Sequence, residues 1–459
     1  MGARGDEIVT VDPATEEETG RYPFMTGAEV EATLGAVARA FRGWRELPVE
    51  RRGELMHAAA QILRGRIPEL AALITREMGK PAGEARAEVE KCAVTMEHFA
   101  DGAPGYLAAQ PAPSDSERSF IALEPLGTVL AVMPWNFPLW QVVRAAAPAL
   151  MAGNTILLKH AENTTGCALA LAAVLRDAGL PEGVFGVLMV PEDRVAGVIR
   201  DPRVAGVTLT GSAAAGAAVA SAAGGALKKT VLELGGSDAF VVLDDADVEA
   251  AAATAVRSRF QNCGQSCIAA KRLIAVDTVA DAFEEALVAR VLTLAVGDPT
   301  DPATQVGPMA RADLRDALEG QLRRSVERGA RVLAGGGRPR RSGWFLEPTV
   351  LAGCAPGMPA FDEETFGPLA ALTRVSGEEE ALAAANRSAY GLGGNVWTRD
   401  VERGLRFARR METGGVFING MTHSDARLPF GGIKRSGYGR ELHAFGIREF
   451  VNVKTVWLP

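Results

Sequence analysis

The stretch TVLAVMPWNFPLWQVVRAAAPALMAGNTILLK, residues 128–159, decides the fold. It begins with the apolar run TVLAVM (128–133) and ends with TILLK (155–159), and the segment near 138–151 between them is typical of a helix. Unbroken apolar strands separated by helices indicate a parallel sheet that is covered on both faces. Such sheets bind ligands beyond the carboxyl ends of their strands.

The same alternation continues towards the C-terminus. Further strands are predicted at 186–190, 206–209 and 230–233, with helices near 164–178, 192–200 and 212–223. A second series has strands near 239–243, 272–276, 331–334, 370–375, 395–398 and 415–419, and helices near 247–260, 279–295, 311–328 and 377–386. Upstream, helices are predicted at 26–47, 50–65 and 69–78, and the first opens with a capping box of Thr26 and Glu29. We therefore expect an α/β protein with two α/β domains.

Composition excludes several classes of protein. The chain has 459 residues, of which 47% are hydrophobic and 23% charged, as in ordinary globular proteins. Its net charge of -7 argues against nucleic acid as a partner, because nucleic-acid binding needs a concentrated basic face. No apolar run is long enough for a membrane span, and the N-terminus lacks a signal peptide, so we expect a cytoplasmic protein without membrane contact. The five cysteines form no CxxC pair and there is no HExxH, so no metal site is expected.

Two residues in the middle of the chain are candidates for covalent chemistry. Cys267 ends QNCGQSC (261–267), and a thiolate is a strong nucleophile where its pKa is lowered or a base lies nearby. The alternative is a buried cysteine that acts only as a small apolar residue. Glu233 ends a predicted strand and begins ELGGS (233–237), which directs a carboxylate into the ligand crevice. Its alternative is an ion pair with Lys228 or Lys229.

Two further motifs follow predicted strands. Asn136 lies in PWNFP (134–138), where prolines on both sides hold an amide that could stabilise an oxyanion. The alternative is an asparagine that caps the following helix. In TGSAAAG (210–216), Ser212 and the start of a helix could receive a phosphate, although the motif is not the GxGxxG fingerprint.

These motifs together resemble the aldehyde dehydrogenase superfamily over essentially the whole chain. PWNFP, LLKHAEN (157–163), TLTGSxxxG (208–216), ELGGS, GQSC, EETFGP (363–368) and PFGGIKRSGYGRE (429–441) occur in the family's order. The resemblance implies a Rossmann-like dinucleotide-binding domain formed by 1–114 and 133–233, and a catalytic domain at 234–428. It also implies a small oligomerisation sheet from 115–132 and 442–459, and hence a homodimer or homotetramer.

The resemblance also implies roles for single residues. Cys267 corresponds to the nucleophile, Glu233 to the general base, and Asn136, with the backbone N–H of Cys267, to the oxyanion hole. The residues that correspond to cofactor contacts are Trp135, Lys159, Glu162, Gly211, Ser212, Gly216, Glu364 and Phe366. The expected cofactor is NAD, because a carboxylate at Glu162 would repel a 2′-phosphate. The neighbouring Lys159 and His160 leave NADP as an alternative.

Within the superfamily, the chain most resembles bacterial succinate-semialdehyde dehydrogenases, notably in GQSCIAAKR (264–272) and GIREFVNVKTVW (446–457). Arg144 corresponds to the cation that holds the substrate's distal carboxylate, with Ser424 as a second contact and Arg259 as a further candidate. Gln261 stands where some of these enzymes have another arginine. Glutarate semialdehyde or a neutral aldehyde is therefore an alternative substrate.

Three other interpretations stay open at this point. An acylating dehydrogenase would pass the thioester to coenzyme A, which the retention of Glu233 disfavours. A catalytically silent binding or structural protein on the same fold is disfavoured by the intact Cys267, Glu233 and Asn136. Cys263 could face Cys267 across one helical turn and form a redox pair, if the segment is helical.

Overall fold

A computed structural model describes residues 6–459. The first part of the chain contains a hairpin followed by four helices and two further strands. In chain order these are β1 (Glu7–Val11), β2 (Glu18–Pro23), α1 (Gly27–Glu46), α2 (Val49–Gly65), α3 (Ile67–Met78), α4 (Ala82–Tyr106), β3 (Gln110–Pro111) and β4 (Arg118–Pro125). Within the described residues, no helix combines the length and the hydropathy of a membrane span.

The three predicted N-terminal helices are confirmed. The backbone N–H of Thr26 donates to Glu29 Oε2 at 2.7 Å, and Thr26 Oγ1 accepts from the backbone of Glu29, so the capping box forms. Helix α3 ends at Gly79, which adopts a left-handed conformation with φ 78°. The long helix α4 was not predicted, because its buried face mixes charged and apolar side chains, such as Glu88 and Val89, and gives little periodic signal.

The next part supplies five parallel strands of a six-stranded sheet, and helices connect these strands along the chain. Its elements are β5 (Thr128–Met133), α5 (Trp140–Met151), β6 (Thr155–His160), α6 (Thr165–Asp177), β7 (Phe185–Val187), α7 (Glu192–Arg200), β8 (Val204–Thr210), α8 (Ala213–Gly225) and β9 (Lys229–Glu233). Strand β5 lies between β6 and β8, and its residues are almost all buried. The unbroken apolar run at 128–133 is therefore a central parallel strand, as predicted.

The remaining chain forms the second α/β unit and the C-terminal strands. Its elements are β10 (Asp238–Val242), α9 (Val248–Phe260), β11 (Ala270–Val276), α10 (Asp277–Val291), α11 (Ala312–Glu327), β12 (Arg331–Ala334), β13 (Thr349–Ala352), α12 (Pro359–Asp362), β14 (Leu369–Val375), α13 (Glu378–Asn386), β15 (Tyr390–Gly391), β16 (Gly393–Trp397), α14 (Val401–Ala408), β17 (Gly415–Ile418), β18 (Ile433–Lys434), β19 (Gly437–Tyr438), α15 (His443–Ile447) and β20 (Val451–Leu458).

Seven of these strands form one sheet in the order β12-β13-β14-β11-β10-β16-β17. All six predicted strands of the second series are found in it, and the short strand β13 was missed. The predicted α/β class with parallel sheets is confirmed. Strand β19 adds to the six-stranded sheet instead, where Gly437 pairs with Glu233 in antiparallel register. Strand β19 therefore pairs with β9, the strand that carries Glu233.

A third sheet joins β20, β4 and β3 in that order. Leu123 of β4 pairs with Val453 of β20 in a regular antiparallel ladder. Only part of the segment 115–132 lies in this sheet, because the chain leaves it after Pro125 and passes through Gly127, which has φ 146°. The role of the segment in oligomerisation stays a prediction. The following residues already belong to β5 in the six-stranded sheet.

Candidate active site

A cavity of about 600 Å³ lies among helices α4 and α5, the loop before β11 and residues 421–424. Cys267 lines this cavity and is half-buried, whereas the other four cysteines are buried. The alternative of a wholly buried Cys267 is therefore wrong. The structure brings the predicted nucleophile to a space that a small organic molecule could occupy.

The backbone that leads to Cys267 is left-handed at three consecutive residues. Asn262, Cys263 and Gly264 have φ values of 53°, 54° and 68°. A side chain at Gly264 would collide with the carbonyl oxygen of Gly367, so only glycine fits there. The predicted helical relation between Cys263 and Cys267 is wrong, because this turn breaks the helix. Cys263 is buried in the core of the second unit, only 1% exposed.

Burial raises the pKa of the Cys267 thiol to about 11, and the positive charges of Arg144 and Lys271 oppose that rise. The buried Lys271 donates from Nζ to the backbone carbonyl of Cys267 at 2.9 Å and to Glu364 Oε1 at 2.7 Å. Lys271 therefore joins the backbone of the nucleophile to the carboxylate of Glu364. Lys271 was not predicted, although two adjacent cations, Lys271 and Arg272, at the start of a buried strand were a usable signal.

Asn136 lies in the loop between β5 and α5 and is buried. Its Nδ2 donates to the carbonyl of Gln265 at 3.1 Å, and its backbone carbonyl accepts from Asn262 Nδ2 at 2.8 Å. These bonds tie Asn136 to the turn before Cys267. One amide hydrogen of Asn136 stays available for an oxyanion, because Nδ2 carries two and one is used.

Asn136 does not cap helix α5, so that alternative is wrong. Glu88 of α4 does so instead, since its Oε1 accepts from the backbone N–H groups of Leu139 and Trp140 at 2.9 and 3.0 Å. Glu88 also forms a fully buried ion pair with Lys80. A carboxylate at a helix N-terminus is favoured by the helix dipole. The unpredicted helix α4 thus fixes the start of α5 and the loop that holds Asn136.

Glu233 is the last residue of β9 and is 2% exposed. Neither carboxylate oxygen has a hydrogen-bond partner in the described chain, and Oε1 lies near Gly431. Burial and the neighbouring Glu441 raise the pKa of Glu233 well above its usual range, and the positive charge of Arg144 opposes this. The raised pKa favours the neutral carboxyl, and Glu233 does not line the cavity of Cys267.

The predicted alternative for Glu233, an ion pair with a neighbouring lysine, is wrong. Lys228 donates to the carbonyl of Asp201, and Lys229 pairs with Glu449 at 3.0 Å. The carboxyl of Glu233 is consequently uncommitted. A buried carboxyl with a raised pKa and no fixed partner is the kind of group that enzymes use for proton transfer.

Arg144 of α5 lines the cavity but is already paired. Its Nε forms an ion pair with the buried Glu441, its Nη2 donates to Thr210 Oγ1 at 3.3 Å, and its guanidinium lies 4.6 Å from the centre of the Phe430 ring. The role of Arg144 in holding a substrate carboxylate stays a prediction, and Glu441 would compete with the substrate for the guanidinium. The sequence of α5 does not indicate that Glu441, which is distant in sequence, forms an ion pair with Arg144.

Of the other two predicted substrate contacts, Ser424 lies at the cavity and Arg259 does not. Ser424 lines the cavity, where its Oγ accepts from Lys91 Nζ at 2.7 Å. Sequence analysis missed Lys91, because it lies on the unpredicted helix α4. Arg259 is fully buried and donates to the carbonyls of Leu369 and Thr365 at 2.6 and 2.9 Å. It braces the loop before Cys267 and does not reach the cavity.

A second cavity of about 240 Å³ lies between helices α7 and α8, near the carboxyl ends of the inner strands β5, β6 and β8. Lys159 lines it, together with Glu192 and apolar side chains such as Val195 and Val219. A flat ring with an adjacent hydroxylated sugar suits such a cleft, because the walls are apolar and the polar groups are few. Glu162 lines a separate cavity of about 10 Å³, and its charge opposes the lowering of the Lys159 pKa by burial. The contact of Glu162 with a ribose stays a prediction.

The motif TGSAAAG positions the start of helix α8. Ser212 is the N-cap, and its Oγ accepts from the backbone of Ala215 at 3.2 Å. Gly211 donates its N–H to the carbonyl of Glu233 at 3.0 Å. Gly216 is buried, and a Cβ there would lie 2.5 Å from the side chain of Leu234, so its glycine serves close packing. Ser212 remains exposed at the helix N-terminus, where a phosphate would be favoured.

The remaining predicted cofactor contacts lie close to Lys271, which bonds to the backbone of Cys267. The rings of Trp135 and Phe366 meet edge to face, with centroids 5.8 Å apart. Glu364 accepts from the backbone N–H of Gly236 at 3.0 Å and from Lys271. The aromatic side chains can pack against a planar ring, and the carboxylate can accept hydrogen bonds from the hydroxyl groups of a sugar attached to that ring.

Known proteins resemble this chain over almost its full length. The family model described as Aldehyde dehydrogenase family matches residues 1–456. Succinate semialdehyde dehydrogenase, NAD(P)+, Sad of Escherichia coli strain K12 is 49% identical over 98% of this chain and 97% of that protein. Succinate-semialdehyde dehydrogenase, NADP(+), 1 of Mycobacterium tuberculosis strain H37Rv is 48% identical over 98% of this chain and 99% of that protein.

Solved structures give the same result. The succinic semialdehyde dehydrogenase of Streptococcus pyogenes, crystallised with NADP+ as the cofactor, is 38% identical, with a TM-score of 0.96 over 98% of this chain and 100% of that chain. The structure of Gox0499 is 41% identical, with a TM-score of 0.97 over 99% of this chain and 100% of that chain. The chain belongs to the aldehyde dehydrogenase family.

Proposed function

We propose that the protein oxidises succinate semialdehyde to succinate with NAD or NADP, through a thiohemiacetal and a thioester on Cys267. The observation that carries the proposal is the half-buried Cys267 at the wall of a cavity that also presents cationic side chains. The relatives named as succinate-semialdehyde dehydrogenases support the same substrate.

The first step is attack of Cys267 Sγ on the aldehyde carbon. The thiol, whose pKa is about 11, must give its proton to solvent water in the cavity as the C–S bond forms, and Arg144 and Lys271 favour the thiolate. The carbonyl oxygen becomes an oxyanion, which the Nδ2 of Asn136 and the backbone N–H of Cys267 are proposed to hold. A nicotinamide held near Phe366 and Glu364 would accept the hydride from the same carbon, and loss of that hydride turns the thiohemiacetal into a thioester.

The second step is hydrolysis of the thioester. Glu233 is proposed to remove a proton from water, so that the hydroxide adds to the thioester carbon and the C–S bond breaks. The acid leaves, and Cys267 is restored as a thiolate. Glu233 is buried beside Glu441, which raises its pKa, so it must turn towards the cavity and be ionised there before it can accept a proton.

The structure also contains groups that fit the proposed cofactor. Lys159 and the apolar cleft between α7 and α8 suit an adenosine, Ser212 at the start of α8 suits a pyrophosphate, and Glu364 suits a ribose next to Phe366. The preference for NAD rested on Glu162, which lies outside this cleft. Glu192 lines the cleft instead, so a carboxylate still faces the proposed ribose.

The domain assignments and the assembly are proposals too. The six-stranded sheet is proposed as the dinucleotide-binding domain, and the seven-stranded sheet as the catalytic domain. Strand β20 leaves Val453 and Trp457 exposed at the edge of the third sheet. Exposed apolar edge strands invite pairing with another chain, which supports a homodimer or homotetramer through this sheet.

The proposed reaction is tested with a panel of aldehydes assayed with NAD and with NADP. We expect the highest kcat/KM with succinate semialdehyde, a lower value with glutarate semialdehyde, and a much lower value with butanal. The absorbance of the reduced nicotinamide is the measurement. Equal efficiency with all three aldehydes would contradict recognition of a distal carboxylate, and absence of any reduced cofactor would contradict the reaction itself.

Asn136→Ala is expected to lower kcat by about 10²–10³-fold, because removal of one oxyanion donor costs that much in comparable sites. The dissociation constant of the cofactor should stay within about twofold, since Asn136 bonds to the loop before Cys267 and not to the cofactor cleft. Steady-state kinetics and a fluorescence titration of NADH measure the two effects. A kcat close to that of the unmodified protein would remove Asn136 from the proposed mechanism.

A further inference from the structure

Three cationic side chains line the cavity of Cys267 in the described chain, and only one is both enclosed and without a carboxylate partner. These cations are Lys91, Arg144 and Arg257. Arg144 is paired with Glu441, and Arg257 is exposed to solvent. Lys91 is partly buried on α4 and forms no ion pair in the described residues. A cation in this situation favours an anionic ligand.

The surroundings of Lys91 hold its ammonium group in one place. Its Nζ donates to Ser424 Oγ at 2.7 Å and lies 4.2 Å from the centre of the Trp140 ring. An ammonium has three hydrogens, and this single hydrogen bond leaves two of them for a ligand. The face of an indole stabilises a cation without satisfying those hydrogens.

The acidic groups near Lys91 are occupied by other partners. Glu88 is paired with Lys80 and accepts from the N-terminus of α5. Glu84 accepts from the backbone N–H of Asn262 at 2.7 Å, and burial raises its pKa to about 7. Asp425 is paired with Arg427 at 2.6 Å. The charge on Lys91 is therefore not neutralised by its neighbours.

We propose that the Lys91 ammonium, fixed by Ser424 and Trp140, binds the distal carboxylate of the substrate and makes the enzyme selective for aldehydes that end in a carboxylate. Arg144, which the sequence had suggested for this task, instead holds Glu441 and lies near both Cys267 and Glu233. The inference rests on the proposed function, because it names the residue that recognises the proposed substrate.

The test is the substitution Lys91→Met, which keeps most of the length of the side chain over Trp140 and removes the charge. A hydrogen bond to a charged group changes affinity by about 10- to 100-fold, and we expect kcat/KM for succinate semialdehyde to fall by that factor, mainly through KM. The value for butanal should change by less than about twofold. A structural role of Lys91 would lower both values together, and that result would overturn the inference.

Arg257→Met is the matched control, because it removes a cavity cation that is exposed. Exposed charges are screened by solvent and salt, so we expect less than about a threefold change in the selectivity for succinate semialdehyde over butanal. Ser424→Ala is the second variant if Lys91→Met does not fold, and a partial loss of the same selectivity is expected. An unchanged selectivity in the variants of Lys91 and Ser424 would contradict the proposal.

Direct binding separates this inference from the proposed function. Isothermal titration with succinate should show binding to the unmodified protein and about 10- to 100-fold weaker binding to Lys91→Met. Succinate binding that is lost in Lys91→Met supports the carboxylate site even if no aldehyde is oxidised. If the unmodified protein oxidises the aldehyde but binds succinate no more tightly than Lys91→Met does, the proposed function is supported and the role of Lys91 is overturned.

The dependence on pH gives a further measurement. Burial and the nearby Arg144 lower the pKa of Lys91 to about 8. The cation exists below that pKa and is lost above it, so the selectivity ratio should fall as the pH rises through about 8. In Lys91→Arg the charge persists, and the ratio should stay constant over the same range. The charged or titratable groups that face Lys91 are Glu88 and Cys92 of α4, Arg144 of α5 and Asp425.

Discussion

Cys267→Ala abolishes aldehyde oxidation, with kcat reduced by about 10⁴-fold or more, and retains binding of the cofactor. The expected loss is large because the thiolate forms both covalent intermediates, and no other described cysteine is exposed to the cavity. Hydride does not leave a free aldehyde readily, whereas the oxyanion of a thiohemiacetal expels it. The measurements are formation of reduced nicotinamide and a fluorescence titration of NADH.

The matched control for this prediction is Cys263→Ala. This cysteine lies only four positions earlier but is buried in the core of the second unit, so its removal should leave most of the turnover. Normal turnover in Cys267→Ala would contradict the whole mechanism. A large loss in Cys263→Ala with an unchanged melting temperature would give that residue a chemical role that the structure does not indicate.

Glu233→Gln separates acylation from hydrolysis. The amide cannot accept a proton from water, so steady-state turnover should fall by about 10²–10⁴-fold. Hydride transfer precedes the step that needs the base, and the first turnover should therefore still produce one equivalent of reduced cofactor per site. Rapid-mixing absorbance measures this burst, and mass spectrometry of the intact protein should show one succinyl group on Cys267.

Cys267→Ala serves as the control for the burst, because it has no sulfur to acylate and should show none. A Glu233→Gln protein that turns over slowly without a burst or an acyl adduct would indicate that Glu233 acts before hydride transfer. Deprotonation of Cys267 by Glu233 would be the next hypothesis in that case. The raised pKa of Glu233 is compatible with a role as a proton acceptor at either step once the group has ionised.

Much of the fold was predictable because it depends on local patterns. The apolar run 128–133 became the central strand β5, and the capping box of Thr26 and Glu29 formed as expected. Both features are decided by neighbouring residues. Helix α4 was missed because several of its buried positions are polar, and their partners, such as the N-terminus of α5, lie far away in sequence.

The site was predictable only in part, for the same reason. Motifs located Cys267, Glu233 and Asn136, and the structure places Cys267 at the cavity and ties Asn136 to the turn before it. Contacts between distant segments could not be predicted from the sequence: Arg144 forms an ion pair with Glu441, and Lys91 donates a hydrogen bond to Ser424. The amino-acid sequence shows which charged residues are present, whereas only the folded structure shows which of them already have an oppositely charged partner.

The pairing of Gly437 with Glu233, together with the ion pair of Glu441 and Arg144, bears on how the protein is made. The strand that carries the proposed base is bordered by a segment that lies far downstream of it in the sequence. A premature stop codon before Gly437 would remove both this border and the counter-ion of Arg144. The truncated protein would still contain Cys267, but Glu233 and Arg144 would lack these neighbours.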